Sequence, residues 1–341
     1  MIPRRVSRAL ALASILFAAS CAGTDSMRVD PLEKSWAADP ATRLRPPATL
    51  VFEEAGERRL FLCCGGSIYC CTETGAGHVE SVWQTGRPVA AIAPVGAGRG
   101  LLLVEASTSS DPTERVLWTD LENDPKVLYE VRDRLLGVPV RIGSREAWLA
   151  TSSRGGDEDA VLVTADLQGR RPVSLRPADL DAVYHIARNP HTGRTLIAGV
   201  RRVGRRVESG LFDVQGDPPR ATLTYEDGWC AAWSGHGKYL AMARGKRAED
   251  APLLRYGPLT DCTVRVTGPG ETVFESPVDG VVLALCFDPA DESLLFAAVA
   301  ELDQVRADDL RTVRLLRLRI TRDGLRSTEA VQIALSASKL E

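Results

Sequence analysis

Two kinds of punctuation recur along this chain and keep step with each other. The first is a polar turn followed by an aliphatic run, clearest in Trp233-Ser234-Gly235-His236-Gly237-Lys238-Tyr239-Leu240-Ala241. It returns in Asn189-Pro190-His191-Thr192-Gly193-Arg194-Thr195-Leu196-Ile197 and in Asp288-Pro289-Ala290-Asp291-Glu292-Ser293-Leu294-Leu295-Phe296, with weaker copies around Leu60, Leu101 and Trp148. The second is an apolar run that ends in a polar or glycine turn, at Gly75, Asn123, Gly169, Gly216, Gly270 and Gly324. In both series neighbouring anchors lie about 41 to 54 residues apart. Two independent marks sharing one period are hard to obtain by chance, and a period of this length encodes one supersecondary unit per repeat.

The unit is all-β. Past Ala48 no stretch sustains apolar spacing at helical period over three turns. Short runs rich in Val, Leu, Ile and aromatics alternate instead with Gly, Pro, Asp and Asn, which is the pattern of many short strands. Six repeats of about four strands predict a six-bladed β-propeller with four-stranded antiparallel blades. In the fifth repeat, Gly228 to Trp233 is the expected inner strand and Tyr239 to Ala243 the second. The third starts at Leu253 to Tyr256 in a stretch that runs irregularly to Val266, and Thr272 to Glu275 is outermost. The first repeat opens with its own inner strand, Thr49 to Glu53, and the last closes with Glu329 to Leu335, so no strand is left over to interlock the ends.

The copy WSGHGKYLAMA resembles the WD40-like repeat of bacterial periplasmic propellers of the TolB type, through Trp233, Ser234, Gly237, Leu240 and Ala241. The resemblance implies the fold, and proteins built from these repeats are mostly binding platforms. Fold alone does not imply function.

The start of the chain reads as an address. Arg4, Arg5 and Arg8 precede an apolar run from Ala9 to Ala19. That run is too short for the ~20 residues a membrane-crossing helix needs, and the arrangement is that of a secretory signal peptide. Ala18-Ala19-Ser20-Cys21 resembles a bacterial lipobox. The resemblance implies a lipoprotein signal over residues 1–20 and lipidation of Cys21. Residues 21–47, with Pro31, Pro40, Pro46 and Pro47, form a flexible tether, and 48–341 is the propeller. Ala22 after the lipidated cysteine implies the outer membrane of a Gram-negative envelope, facing the periplasm. The formal net charge is −3, and removal of the signal takes three arginines and no acid with it. An acidic body lacks the basic footprint that a nucleic-acid partner requires.

Few residues announce chemistry. Cys63-Cys64 and Cys70-Cys71 flank Gly65-Gly66-Ser67. A two-residue turn at Gly66-Ser67 would set Cys63 opposite Cys70, and in an oxidising compartment such a pair is expected as a disulfide. Reduced buried thiols and a soft-metal site are the other readings of the same residues. Cys230 and Cys286 read as small apolar residues of inner strands. His185 is expected on the fourth inner strand, facing the channel without partners of its own kind, and so as a structural residue. No catalytic residue, metal site or cofactor is assigned, because no nucleophile elbow, His-Glu-x-x-His or phosphate-cradling loop occurs.

Strand connections on one rim carry contrasting charge. Arg201, Arg202, Arg205 and Arg206 form one tip, and Asp157, Glu158 and Asp159 form its neighbour. These read either as solvated loop ends or as a rim that docks a protein or envelope polymer. The sequence therefore points to a lipid-anchored binding or scaffolding module. The alternative is a hydrolase- or lactonase-like enzyme with its site in the channel.

Overall fold

The apolar runs become strands, and each run pairs with the next one along the chain. The computed structural model describes residues 45–335 apart from 54–58, 73–78, 84–86, 96–99, 121–122, 143–145, 154–160, 167–172, 176–179, 205, 216–219, 247–259 and 307–308. The signal peptide, Cys21 and the acidic tip Asp157, Glu158 and Asp159 lie outside the described residues, as do the side chains of Arg202, Arg205 and Arg206.

The first sheet is β1 (Ala48–Glu53), β2 (Arg59–Cys64), β3 (Ser67–Thr72) and β4 (Val79–Trp83). The second is β5 (Val89–Pro94), β6 (Leu101–Glu105), β7 (Thr113–Thr119) and β8 (Lys126–Arg132). The third holds β9 (Arg134–Leu136), β10 (Val140–Arg141), β11 (Glu146–Ser153), β12 (Val161–Asp166) and β13 (Val173–Leu175). The fourth is β14 (Ala182–Arg188), β15 (Thr195–Val203), β16 (Arg206–Gln215) and β17 (Arg220–Tyr225). The fifth is β18 (Gly228–Trp233), β19 (Leu240–Lys246), β20 (Thr260–Thr267) and β21 (Val273–Pro277). The last is β22 (Val281–Phe287), β23 (Leu294–Ala300), β24 (Thr312–Thr321) and β25 (Gly324–Ala334). Every pairing is antiparallel and follows chain order, apart from β9, which pairs with β11.

Five sheets have the expected four strands, and the third departs from that expectation with five. The apolar run from Val138 to Ile142 does not form one continuous inner strand. The chain instead pairs with β11 twice, through Arg134 to Leu136 and again through Val140 and Arg141. Pro139 falls in the gap. Proline has no N–H to give to a ladder, so the strand breaks there.

The repeat anchors occupy matching places. Leu60 faces Phe52, Leu101 faces Pro94, Trp148 faces Val140, Leu196 faces Ala187 and Leu240 faces Trp233, each near the start of a second strand. A feature without a sequence signal recurs as well. β5, β14, β18 and β22 each carry a register shift near their first residues, at Val89/Ala91, Val183/His185, Gly228/Cys230 and Val282/Ala284. A bulge bends a strand and sharpens its twist, and here it does so at the same point of four innermost strands.

Sheets are covered on both faces, which is why their strands read as unbroken apolar runs rather than as alternation. Leu101 to Glu105 and Leu294 to Ala300 are buried throughout. Apolar clusters fill the space between neighbouring sheets. Ile68 and Leu103 meet between the first and second, Leu136 and Leu102 between the second and third, and Leu135 and Phe212 between the third and fourth. Leu211 and Met242 meet between the fourth and fifth, and Val264 and Leu295 between the fifth and last. A further cluster joins the last sheet to the first through Leu50, Leu62, Phe296 and Leu315. The sheets therefore form a closed ring. Among the described residues no strand is exchanged at the seam, where the Phe52 and Phe296 rings pack 5.9 Å apart. The short helix α1 (Leu302–Arg306) tucks Val305 into the same cluster.

The chain is tied down before its first strand. Arg45 pairs with the fully buried carboxylate of Glu114 at the start of β7, and its Nε donates to the Leu136 carbonyl at 2.8 Å. The same carboxylate accepts the Leu136 N–H at 2.7 Å and the Ser107 N–H at 3.3 Å. Residues 45–47, expected as tether, are in this respect part of the folded body.

Candidate binding site in the central channel

At the axis of the ring, the innermost strands of all the sheets enclose a cavity of about 750 Å³. Its walls come from residues such as Leu50, Ile92, Val140, Ile186 and Leu283, with alanines filling in between. The cavity reaches the rim formed by the turns that follow the inner strands, at Pro190 to Gly193, Ser234 and Pro289.

Those turns are the signature of the repeat, and the structure gives them a job. Asn189, Ser234 and Asp288 occupy the same place, directly after an inner strand, and all are buried. Asn189 Oδ1 accepts the N–H groups of His191 at 2.9 Å and Thr192 at 3.0 Å. Asp288 Oδ1 accepts those of Ala290 at 2.9 Å and Asp291 at 3.3 Å. Ser234 Oγ accepts the Tyr239 N–H at 3.0 Å. At Asn189 and Asp288 the short polar side chain bonds backbone two and three residues on, which makes such turns tight, and Ser234 closes a wider turn five residues on.

The same turns bind neighbours. Asn189 Nδ2 donates to the Gly237 carbonyl at 3.0 Å, while Glu292 Oε1 accepts from His236 N at 2.6 Å and Ser234 Oγ at 3.1 Å. Gly237 sits at φ +67°, and a Cβ there would lie 2.4 Å from Asn189 Oδ1, so glycine is required on both counts. His191 and His236, expected merely as polar turn residues, bring their rings within 6.0 Å of each other across this junction.

Among the described lining residues one side chain carries a full charge, Arg188, at the end of β14. Its guanidinium lies 5.2 Å from the centre of the Trp148 ring, and Nη1 donates to Thr195 Oγ1 at 3.3 Å. Gly193 leaves room beside it, since a Cβ there would come within 3.0 Å of Nη2. No carboxylate pairs with Arg188 among the described residues. Nearby, Trp233 keeps its indole N–H buried and without an acceptor. Sequence reasoning missed both residues: an arginine closing an apolar strand looks like the ordinary polar end of that strand.

His185 lies on the cavity wall, as expected. Its Nε2 is 2.8 Å from the carbonyl of Ala231 on the neighbouring inner strand, which makes it a donor there. Burial holds its pKa below the ordinary 6.5, against the opposing pull of that hydrogen bond. A neutral imidazole whose Nε2 proton is committed to backbone joins two sheets. Among the described residues, no group of three or more His, Cys, Asp or Glu is placed to hold a metal ion.

The cysteine hairpin corrects the expected register. Its two-residue turn is Gly65-Gly66, at φ 58° and 81°, with Cys64 opposite Ser67. Turns that require positive φ at both central positions select two glycines, whereas a turn at Gly66-Ser67 would have forced serine into that region. The shift sets Cys63 opposite Ile68 and Cys70 opposite Phe61. Neither forms a disulfide and both are buried, as are Cys64 and Cys71. Burial pushes Cys64 and Cys71 up to about 12 and raises Cys63 strongly. Cys230 and Cys262 pack in the cores between sheets, and burial raises them to about 12 and about 11.

On the basic tip, Arg201 is not a free cation. It pairs with Glu208 at 2.6 Å, donates to the Ala221 carbonyl at 3.0 Å and lies over the Phe212 ring. Its charge is spent within its own sheet.

Solved structures share this architecture. A gluconolactonase from Xanthomonas campestris superposes with a TM-score of 0.53 over 76% of this chain and 85% of its own, at 14% identity. The fold is a β-propeller. A luciferin-regenerating enzyme gives a TM-score of 0.50 over 87% of this chain and 98% of its own, at 11% identity. At such identities the likeness concerns the propeller alone and carries no activity with it. No protein-family model matches the chain, and no curated protein matches it in sequence.

Proposed function

We propose that this propeller is an exported, lipid-anchored binding module of the Gram-negative cell envelope, held to the outer membrane through Cys21. The composition of the channel carries the binding part of the reading. A channel enzyme needs several acids, bases or metal ligands converging on one point. The described lining offers no acid and two histidines, His185, whose Nε2 proton is committed to Ala231, and His191 out on the rim turn. What remains is a deep apolar pocket with a few polar groups at one end, the usual make-up of a site that holds a ligand. The anchor part rests on the lipobox-like Ala18-Ala19-Ser20-Cys21. A protein or envelope-polymer partner of the rim completes the proposal.

Crosslinking in the native envelope, followed by mass spectrometry, tests the module. Capture of one reproducible partner supports it, and Cys21→Ser should abolish incorporation of labelled fatty acid. Turnover of a lactone or ester by the pure protein, lost in His185→Ala, would replace this reading with the channel enzyme.

A further inference from the structure

We infer that the channel selects a small amphipathic monocarboxylate, its apolar body against the inner strands and its carboxylate on Arg188. The inference rests on the binding-module reading and names its ligand class. Arg188 is half-buried at the end of an apolar cavity, and among the described residues no carboxylate pairs with it, so an incoming anion would meet a guanidinium free to form charge-assisted hydrogen bonds. Arg188 is also held ready. Trp148 supports one face of the guanidinium, Thr195 fixes Nη1, and the missing side chain at Gly193 leaves space beside Nη2.

Charge counting narrows the anion. One guanidinium neutralises one negative charge, and its planar pair of donors matches a carboxylate. A dianionic phosphate would carry an unmatched charge to a wall that, among the described residues, holds no second cation. The body of the ligand follows from the rest of the lining. Leu50, Ile92, Ile186 and Leu283 reward apolar surface, while the described lining includes no Asp, Glu or Lys that would reward a polar one.

Calorimetric titration of the full propeller with decanoate, decanol, decyl phosphate and decyltrimethylammonium tests this, since the tail is constant and the head varies. Decanoate should bind most tightly. Arg188→Gln should weaken it about tenfold or more, the loss expected for a charged hydrogen bond, and leave decanol unchanged. Arg188→Lys, which keeps the charge, should recover part of the affinity, and unchanged thermal midpoints would exclude unfolding as the cause. Equal binding of decanoate and decanol, indifferent to Arg188→Gln, would overturn the carboxylate assignment while leaving a binding channel. Preference for decyl phosphate or the ammonium, or failure of decanoate to bind at all, would overturn it too. The crosslinking experiment would then judge the module independently.

Discussion

The rings of Phe52, at the inner edge of the first sheet, and Phe296, on the second strand of the last, pack 5.9 Å apart with a 34° tilt. They join the two ends of the ring, where no strand is shared among the described residues. Both are almost fully buried, so Phe296→Ala should cost ~3–5 kcal/mol, the usual range for a core phenylalanine. Urea unfolding of both single variants and the double variant checks this. The double should lose less than the sum, by ~0.5–1.5 kcal/mol, if the rings interact beyond simple burial. Strict additivity would mean that the seam is held by surrounding residues instead.

The pair formed by Arg45 and Glu114 yields a second expectation. Glu114 is fully buried and also serves the backbone of Leu136 and Ser107. Glu114→Gln leaves the guanidinium without its counter-charge and should destabilise by ~3 kcal/mol, as for other broken buried pairs. Combining it with Arg45→Met should restore part of that loss. If the double variant is as unstable as the two singles together, the ion pair is not the unit that matters.

Stability should depend on pH through His185. Burial lowers its pKa in the folded protein below the 6.5 of the exposed side chain. The unfolded chain therefore takes up a proton first as pH falls. The contribution is fully present above about 6.5 and is lost progressively below it, until the folded protein also protonates. Unfolding midpoints at pH 7.5 and 5.0 should fall further for the wild type than for His185→Gln. Equal losses would assign the acid sensitivity to other groups.

The cysteines should be silent in the native state. Free thiols raised to about 12 at Cys64 and Cys71 by burial hold almost no thiolate at pH 8, and thiolate is the reactive form. A chromogenic disulfide reagent should label them slowly until denaturant is added, and peptide mapping without reductant should find no Cys63–Cys70 link. Rapid labelling of the folded protein would contradict the burial described here.

Much of the architecture was legible because it depends on repetition. Leu60, Leu101, Trp148, Leu196 and Leu240 recur with their turns, and each stands near the start of a second strand. The errors arose where one residue decides. Pro139 splits an inner strand that the apolar pattern presented as continuous, and the choice of glycines in one turn moved Cys63 off Cys70. Candidate site residues were harder still. Arg188 is defined by what its neighbours lack, and Arg201 by the Glu208 that neutralises it. Neither fact belongs to a sequence window.

Because each sheet is assembled from consecutive strands, folding divides into local work and one distant event. Hairpin contacts within a sheet form early and at low entropic cost, and each new sheet finds its predecessor already beside it. The first sheet is the exception. Its face bearing Leu50, Leu62 and Tyr69 has no cover until the last sheet appears at the far end of the chain. For most of the chain's emergence, then, one adhesive surface waits in water, and the speed with which the final strands arrive determines how long it is open to aggregation.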